Sequence, residues 1–158
     1  MRTLQKLSVK GAFRSEEEDL APVRLADTIH VVIDNFVHHA EFGGVFVIGD
    51  DQRFSGVITR TDLLDWVRVK LGAAFLKPLP DVDKTLRLAS LVNAQTVVDL
   101  LRPETKNAAV SVNDSLAHAL KLMIEADLII LPVVDDAWRI IGRLTLSELL
   151  NRALAEGE

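Results

Sequence analysis

Gly56-Val57-Ile58-Thr59-Arg60-Thr61-Asp62-Leu63-Leu64 returns as Gly142-Arg143-Leu144-Thr145-Leu146-Ser147-Glu148-Leu149-Leu150, 86 residues further along the chain. In the same register Val47 aligns with Val133, Asp50 with Asp136 and Arg53 with Arg139, a gapless match over 18 positions. Self-similarity of that length at a fixed offset marks a tandem repeat. Upstream, Asp27-Thr28-Ile29 answers Asp114-Ser115-Leu116 at an offset of 87. The first copy therefore carries one extra residue before Val45, which a loop tolerates easily.

The two copies have the same local plan. Asp27 can cap a helix whose apolar residues Ile29, Val32, Ile33, Phe36, Val37 and Ala40 follow a 3.6-residue period, and Asp114 can do the same for Leu116, Ala119, Leu120, Met123 and Ile124. Gly43-Gly44 supplies a left-handed stop for the first helix. Val45 to Ile48 and Leu131 to Val134 are short β-branched runs of the kind found in buried strands. Asp50-Asp51-Gln52-Arg53 and Asp135-Asp136-Ala137-Trp138-Arg139 read as hairpin loops, leading into strands Phe54 to Ile58 and Ile140 to Leu144. A helix follows each, beginning at the Thr. With short leading strands at Val23 to Leu25 and Val110 to Val112, the order in each copy is β-α-β-β-α.

That order, with Gly-apolar-apolar-Thr-x-x-Asp at the last strand-to-helix junction and the strand Leu131-Pro132-Val133-Val134-Asp135-Asp136, resembles the CBS domain, named after cystathionine beta-synthase. The resemblance covers roughly residues 18 to 155. It implies an α/β (α+β) fold of tandem CBS repeats about a pseudo-twofold axis, with sheets facing each other and helices outside. It also implies two clefts between the copies for adenosine-containing ligands such as AMP, ADP, ATP or S-adenosylmethionine, and pairing of two chains into a flat homodimer. The expected organisation is a leader at 1–17, repeat 1 at 18–67, a connector with a short helix at 68–95, and repeat 2 at 96–155. Ser15-Glu16-Glu17-Glu18 can start a short helix in the leader, whose alternative is a solvated tail. In the connector Lys77-Pro78-Leu79-Pro80 is a break, and Asp83 can cap a helix through Leu86, Ala89, Ser90 and Val92, packed outside the pair or at a subunit contact.

Composition excludes several classes. With 158 residues, 49% of them hydrophobic, the chain can bury one substantial core. A formal net charge of −5 argues against nonspecific nucleic-acid binding. The absence of cysteine removes disulfides, thiol catalysis and Cys-ligated zinc. Met1 to Lys10 lacks the apolar core of a signal peptide, and the longest apolar run, Leu128 to Val134, is too short to span a bilayer. A cytoplasmic protein that is not membrane-bound is expected.

The chemistry lies in Thr59-Arg60-Thr61-Asp62. A helix N-terminus offers free N–H groups and a positive dipole end to phosphate, a Thr hydroxyl adds a donor, and a carboxylate one turn in can accept a ribose diol. The resemblance assigns those roles to Thr59 and Asp62, with Arg60 as a phosphate contact. The same pattern is also a capping box, in which the side chains satisfy only the helix's own amides. Thr96-Val97-Val98-Asp99 repeats it with no strand before it. For Thr145 and Glu148 a pure cap is favoured, since Glu is the better capping partner and departs from the family's Asp.

By resemblance, the Asp62 cleft would also be lined by Gly43 and Gly44, and across the axis by Ala108, Asn113 and Ile129. A second cleft with Thr145 and Glu148 would use Ile129, Ile130, Ala21, Ala26 and Phe42. Neighbouring His38 and His39 point about 100° apart on a helix and cannot face one metal together, and the Asp50-Asp51 and Asp135-Asp136 pairs suit hairpins. Trp66 falls at a core or subunit position, and Trp138 marks an interface. No catalytic constellation or metal site emerges. The expected function is a regulatory, nucleotide-sensing module signalling to a separate protein effector. The alternative is a dimeric interaction scaffold with no bound nucleotide.

Overall fold

A computed structural model describes residues 3–15, 21–39, 43–72 and 81–156. The expectations for Glu16 to Glu18, Ala40, Phe42 and Lys77 to Pro80 lie outside those residues. The first repeat runs β1 (Val23–Arg24), α2 (Ile29–His38), β2 (Gly44–Ile48), β3 (Phe54–Thr59) and α3 (Arg60–Leu71), preceded by the short helix α1 (Thr3–Lys6). Helices α4 (Val82–Ser90) and α5 (Val97–Leu100) follow, and the second repeat is α6 (Leu116–Ala126), β4 (Ile130–Val134), β5 (Ile140–Thr145) and α7 (Leu146–Ala155).

Strands β2 and β3 form an antiparallel hairpin with β1 parallel to β2, and β4 and β5 form the matching hairpin. Both hairpins break register at the same place, between Val47 and Ile48 and between Val133 and Val134, so the repeat extends to the bulge. The second leading strand is shorter than expected: Val110 makes only a single parallel bridge to Val133.

Alternation along each strand places the core. Val45, Val47 and Ile58 face the helices of repeat 1 together with Val32 and Phe36. Phe46 and Val57, one residue out of phase, fall in a single cluster with Ile130 and Val134, which point the opposite way from Leu131 and Val133 on β4, so the two sheets cover each other. The hairpin loops also meet. The Phe54 amide donates to the Trp138 carbonyl at 2.9 Å, and the rings stack with centroids 6.4 Å apart. Trp138 thus marks a contact between the repeats.

Several local details differ from the sequence reading. The N-caps of α2 and α6 are Thr28 and Ser115, one residue later than Asp27 and Asp114. Each Asp instead accepts from the amide three residues before it, Arg24 at 2.9 Å and Ser111 at 2.8 Å, and so closes the turn that leads into the helix. Gly43-Gly44 forms no left-handed stop. Helix α2 ends at His38, Gly44 already belongs to β2, and the positive-φ glycines among the described residues are Gly56 and Gly72. Helix α4 is capped by Asp81, whose carboxylate accepts from the Lys84 amide at 2.7 Å, and not by Asp83.

The segments preceding the repeats cross over. Residues 8 to 14 pack on repeat 2: the Val9 amide donates to Asp114 O at 2.8 Å and the Lys10 amide to Val112 O at 3.0 Å. Residues 96 to 102 pack on repeat 1 in the same way, with the Val97 amide donating to Asp27 O at 2.9 Å and the Val98 amide to Leu25 O at 3.2 Å. Phe13 lies over Gly142 and Leu101 over Gly56, where a side chain on either glycine would collide. The motif glycines are therefore gaps through which the crossing segments pass. Leu4 and Val9 are fully buried, so the leader contributes side chains to the core.

Two substitutions test this packing. Leu131→Ala removes a fully buried side chain from the core between β4 and the helices of repeat 2, with an expected cost of about 2 to 5 kcal/mol in urea unfolding. Gly142→Ala drives a methyl against the Arg14 carbonyl and the Phe13 ring. It should cost about 1 to 3 kcal/mol and speed amide exchange in residues 8 to 14.

Candidate functional site

Three helices start with the same device. At α3, Thr59 Oγ1 accepts from the Asp62 amide at 3.3 Å, and Asp62 Oδ2 accepts from the Thr59 amide at 2.8 Å. At α7, Thr145 Oγ1 accepts from the Glu148 amide at 3.1 Å and Glu148 Oε1 from the Thr145 amide at 3.0 Å. Thr96 and Asp99 form the third reciprocal box, at α5. The capping reading thus applies to all three sites, and differences in function must come from what else each carboxylate touches.

Asp62 touches most. It has no exposed surface, and its Oδ1 accepts from Arg87 Nη2 at 3.0 Å and from Arg102 Nε at 3.1 Å. Oδ2 also accepts from the Thr59 hydroxyl at 3.1 Å. Four donors occupy the lone pairs of one carboxylate. Arg87 is held in turn by the Leu100 carbonyl at 2.6 Å and Arg102 by Glu104 at 3.3 Å. One turn further along α3, Asp65 is buried against Lys84 of α4. Helix α4 therefore packs on the motif helix through two ion pairs.

Glu148 is the pseudosymmetric counterpart and has a looser setting. It pairs with Arg14 Nε at 2.9 Å, but the Arg14 side chain is 60% exposed against 16% for Arg87 and Arg102. Arg14 and Arg102 stand 88 residues apart, each on a crossing segment and each reaching the carboxylate of the opposite repeat. The longer Glu arm meets an Arg further out in solvent.

A cavity of about 280 Å³ opens beside Asp62. Its walls include Thr59, Thr61, Asp62 and Asp65 from the motif, Lys84 and Arg87 from α4, Arg102, and Asp127 from repeat 2. Of the other residues assigned to this cleft, none lines it. Arg60 lies with its guanidinium 5.4 Å from the Phe36 ring centre. The space left by Gly43 is filled by the Ile129 side chain, and Gly44 packs against Val57 and Ile130. Ala108 is buried and Asn113 is exposed beside the leader. The counterpart cavity, about 290 Å³, is lined by Gly11, Ala12, Arg14, Glu148, Asn151, Arg152 and Ala155. Thr145, Ile130, Ala21 and Ala26 lie outside its walls; Ala21 instead accepts from Asn35 Nδ2 through its carbonyl at 2.6 Å.

The residues missed by sequence reasoning are Arg87, Arg102, Lys84 and Arg14. A faint signal for two of them exists. Ser8-Val9 and Phe13-Arg14 are echoed 88 residues later by Thr96-Val97 and Leu101-Arg102, so the repeat begins before the leading strands. Arg87 and Lys84 have no such trace. Among the described residues no group of three His, Cys, Asp or Glu side chains could hold a metal, and no helix is long and apolar enough to cross a membrane.

Removing Asp62 strands two partly buried guanidiniums, so Asp62→Ala should cost about 3 to 5 kcal/mol in chemical denaturation. Glu148→Ala, whose partner is exposed, should cost about 1 kcal/mol, mostly the lost cap. Asp99 adds a pH dependence. The Gln95 amide, then that of Thr96, donate to its carboxylate and hold its pKa below the ordinary value. A lowered folded-state pKa contributes stability that is complete above the unfolded value and is lost as pH falls through the folded one. Asp99→Asn should flatten that acid limb when urea midpoints are compared across pH.

Comparison with known proteins gives one consistent match. Residues 17–69 and 97–155 each fit the family model of the CBS domain. A curated relative, the chloroplastic CBS domain-containing protein CBSX1 of Arabidopsis thaliana, is 28% identical over 152 residues. The match takes in 91% of this chain but spans only 63% of that relative's length. Among solved structures, Arabidopsis CBSX2 crystallised in complex with AMP superposes with a TM-score of 0.67 at 22% identity, covering 96% of this chain and 99% of that one. A CBS domain pair/ACT domain protein from Thermotoga maritima gives 0.64 at 20%, covering 96% and 100%.

Proposed function

Since this chain belongs to the CBS-domain family, we propose that it is a ligand-sensing module that takes an adenosine nucleotide between its two repeats. The observation that carries this reading is the Thr59–Asp62 cavity: it lies at the repeat boundary, with Asp127 of the second copy in its wall and Arg102 as a cationic donor. The start of α3 supplies backbone donors and a positive dipole end for phosphate. Asp62 is the proposed acceptor for the ribose hydroxyls, and Arg60 would exchange its place over Phe36 for the phosphate. CBSX2, of the same fold, was crystallised with AMP, which favours AMP as the first ligand to try.

The role proposed is binding, not turnover, with the signal passing to a separate protein. The exposed apolar residues Leu64, Val67 and Leu71 on α3 and Leu150 and Leu154 on α7 suit pairing with a second copy. One observation favours the alternative, a scaffold without nucleotide: Asp62 already has its acceptor sites filled from within the chain.

Calorimetric titration of nucleotide-stripped protein with AMP, ADP, ATP and S-adenosylmethionine separates the two. Binding of at least one with micromolar affinity is expected, and heat from none of them would leave the scaffold reading. Sedimentation should give a mass of two chains, and Leu64→Glu with Leu71→Glu should halve it.

A further inference from the structure

We propose that helix α4 is a built-in latch, whose Arg87 competes with ligand for the Asp62 carboxylate. This rests on the nucleotide reading of the same cavity and adds how access to it is controlled.

A carboxylate oxygen can bind a new hydroxyl only through a free lone pair, and Asp62 has given all of its own to Thr59, Arg87 and Arg102. A ribose diol must therefore displace a donor. The two from Thr59 are fixed by the capping box that starts α3. Arg102 is fixed by its setting, between buried Leu101 and buried Thr105, whose hydroxyl accepts from the Val57 amide of β3 at 3.2 Å. Arg87 is the one that can yield.

It stands on a helix with little holding it down. Of the nine residues of α4 only Leu88 is buried, while Val82 and Leu86 are exposed. Leu91, directly after the helix, is fully buried in the core of repeat 1 and anchors the C-terminal end. The N-terminal end is attached to α3 by Lys84 on Asp65. Unfastening the ion pairs of Arg87 and Lys84, together with the bond from Arg87 to the Leu100 carbonyl, would free the helix to swing about Leu91, and no core residue would leave its place except Leu88. Both charges on the α3 side would be answered in the open state, Asp62 by Arg102 and ligand hydroxyls, Asp65 by Arg68 and water. Ligand occupancy is thereby converted into exposure of a different surface of α4. The cations of the Glu148 cavity are Arg14 of the crossing segment and Arg152 of α7 itself, and among the described residues its walls hold no counterpart of α4, so the device belongs to one cleft only.

The test is AMP titration of the full chain and of Arg87→Met, which keeps the stem but not the charge, with hydrogen exchange read over residues 82–90. If α4 is closed about nine-tenths of the time, the variant should bind AMP about tenfold more tightly. AMP should also accelerate exchange across 82–90 in the unaltered chain. Lys84→Met, which leaves Asp62 and both its arginines alone, should shift affinity in the same direction. AMP bound equally or less tightly by both variants, with 82–90 still protected, would overturn the latch while leaving the nucleotide reading intact. AMP bound by none of the three proteins would remove the nucleotide reading, and the latch with it.

Discussion

Neither repeat can cover its own sheet. Phe46 and Val57 on one copy and Ile130 and Val134 on the other are buried where the two sheets face each other. That mutual burial fixes the rest. It brings the hairpin loops together at Phe54 and Trp138, it sets the motif junctions at the boundary between copies, and it leaves the glycines at 56 and 142 as the points where each crossing segment can pass. The apolar area withheld from water in this way is the main favourable term in holding the pair together.

The crossing gives each motif carboxylate an arginine by the same route. Arg102 meets Asp62 and Arg14 meets Glu148, in equivalent positions of a repeat that starts earlier than its leading strands. The copies then diverge. A short Asp is drawn below the surface and surrounded, whereas a longer Glu stays near solvent. The difference of one methylene thus coincides with a difference in how tightly the site is closed, and α4 adds a second cation on the Asp side alone.

The fold was legible because its signals are local and doubled. Periodicity, the two hairpins and the Gly-to-Leu motif each appeared twice, and the errors in them were small: a cap one residue late at Thr28 and Ser115, Asp81 in place of Asp83, and a helix stop at Gly43-Gly44 that is a strand start. Those errors share a cause, since Asp27, Asp114 and Asp83 are all chemically suitable caps and only the backbone path decides which residue sits at the helix entry. The site was less legible. Thr59 and Asp62 could be named from the motif, but Arg87 and Arg102 are 25 and 40 residues away from Asp62 in sequence. Nothing in a charge at position 87 says which carboxylate it will meet. Gly43 was expected to line the Asp62 cleft, whereas its missing side chain accommodates Ile129.

The exchange of strand-like contacts between Arg14 and Arg143 also bears on how the chain reaches this shape. Residues 8 to 14 are made long before β5, the strand on which they pack. Repeat 1 and its covering segment, 96 to 105, can assemble early, but residues 8 to 14 must wait for β5. Contacts of such long sequence separation close late and slowly. Until they do, the apolar groove destined for Leu4 and Val9 stands open, which makes the last folding step the one most exposed to aggregation or to capture by a chaperone.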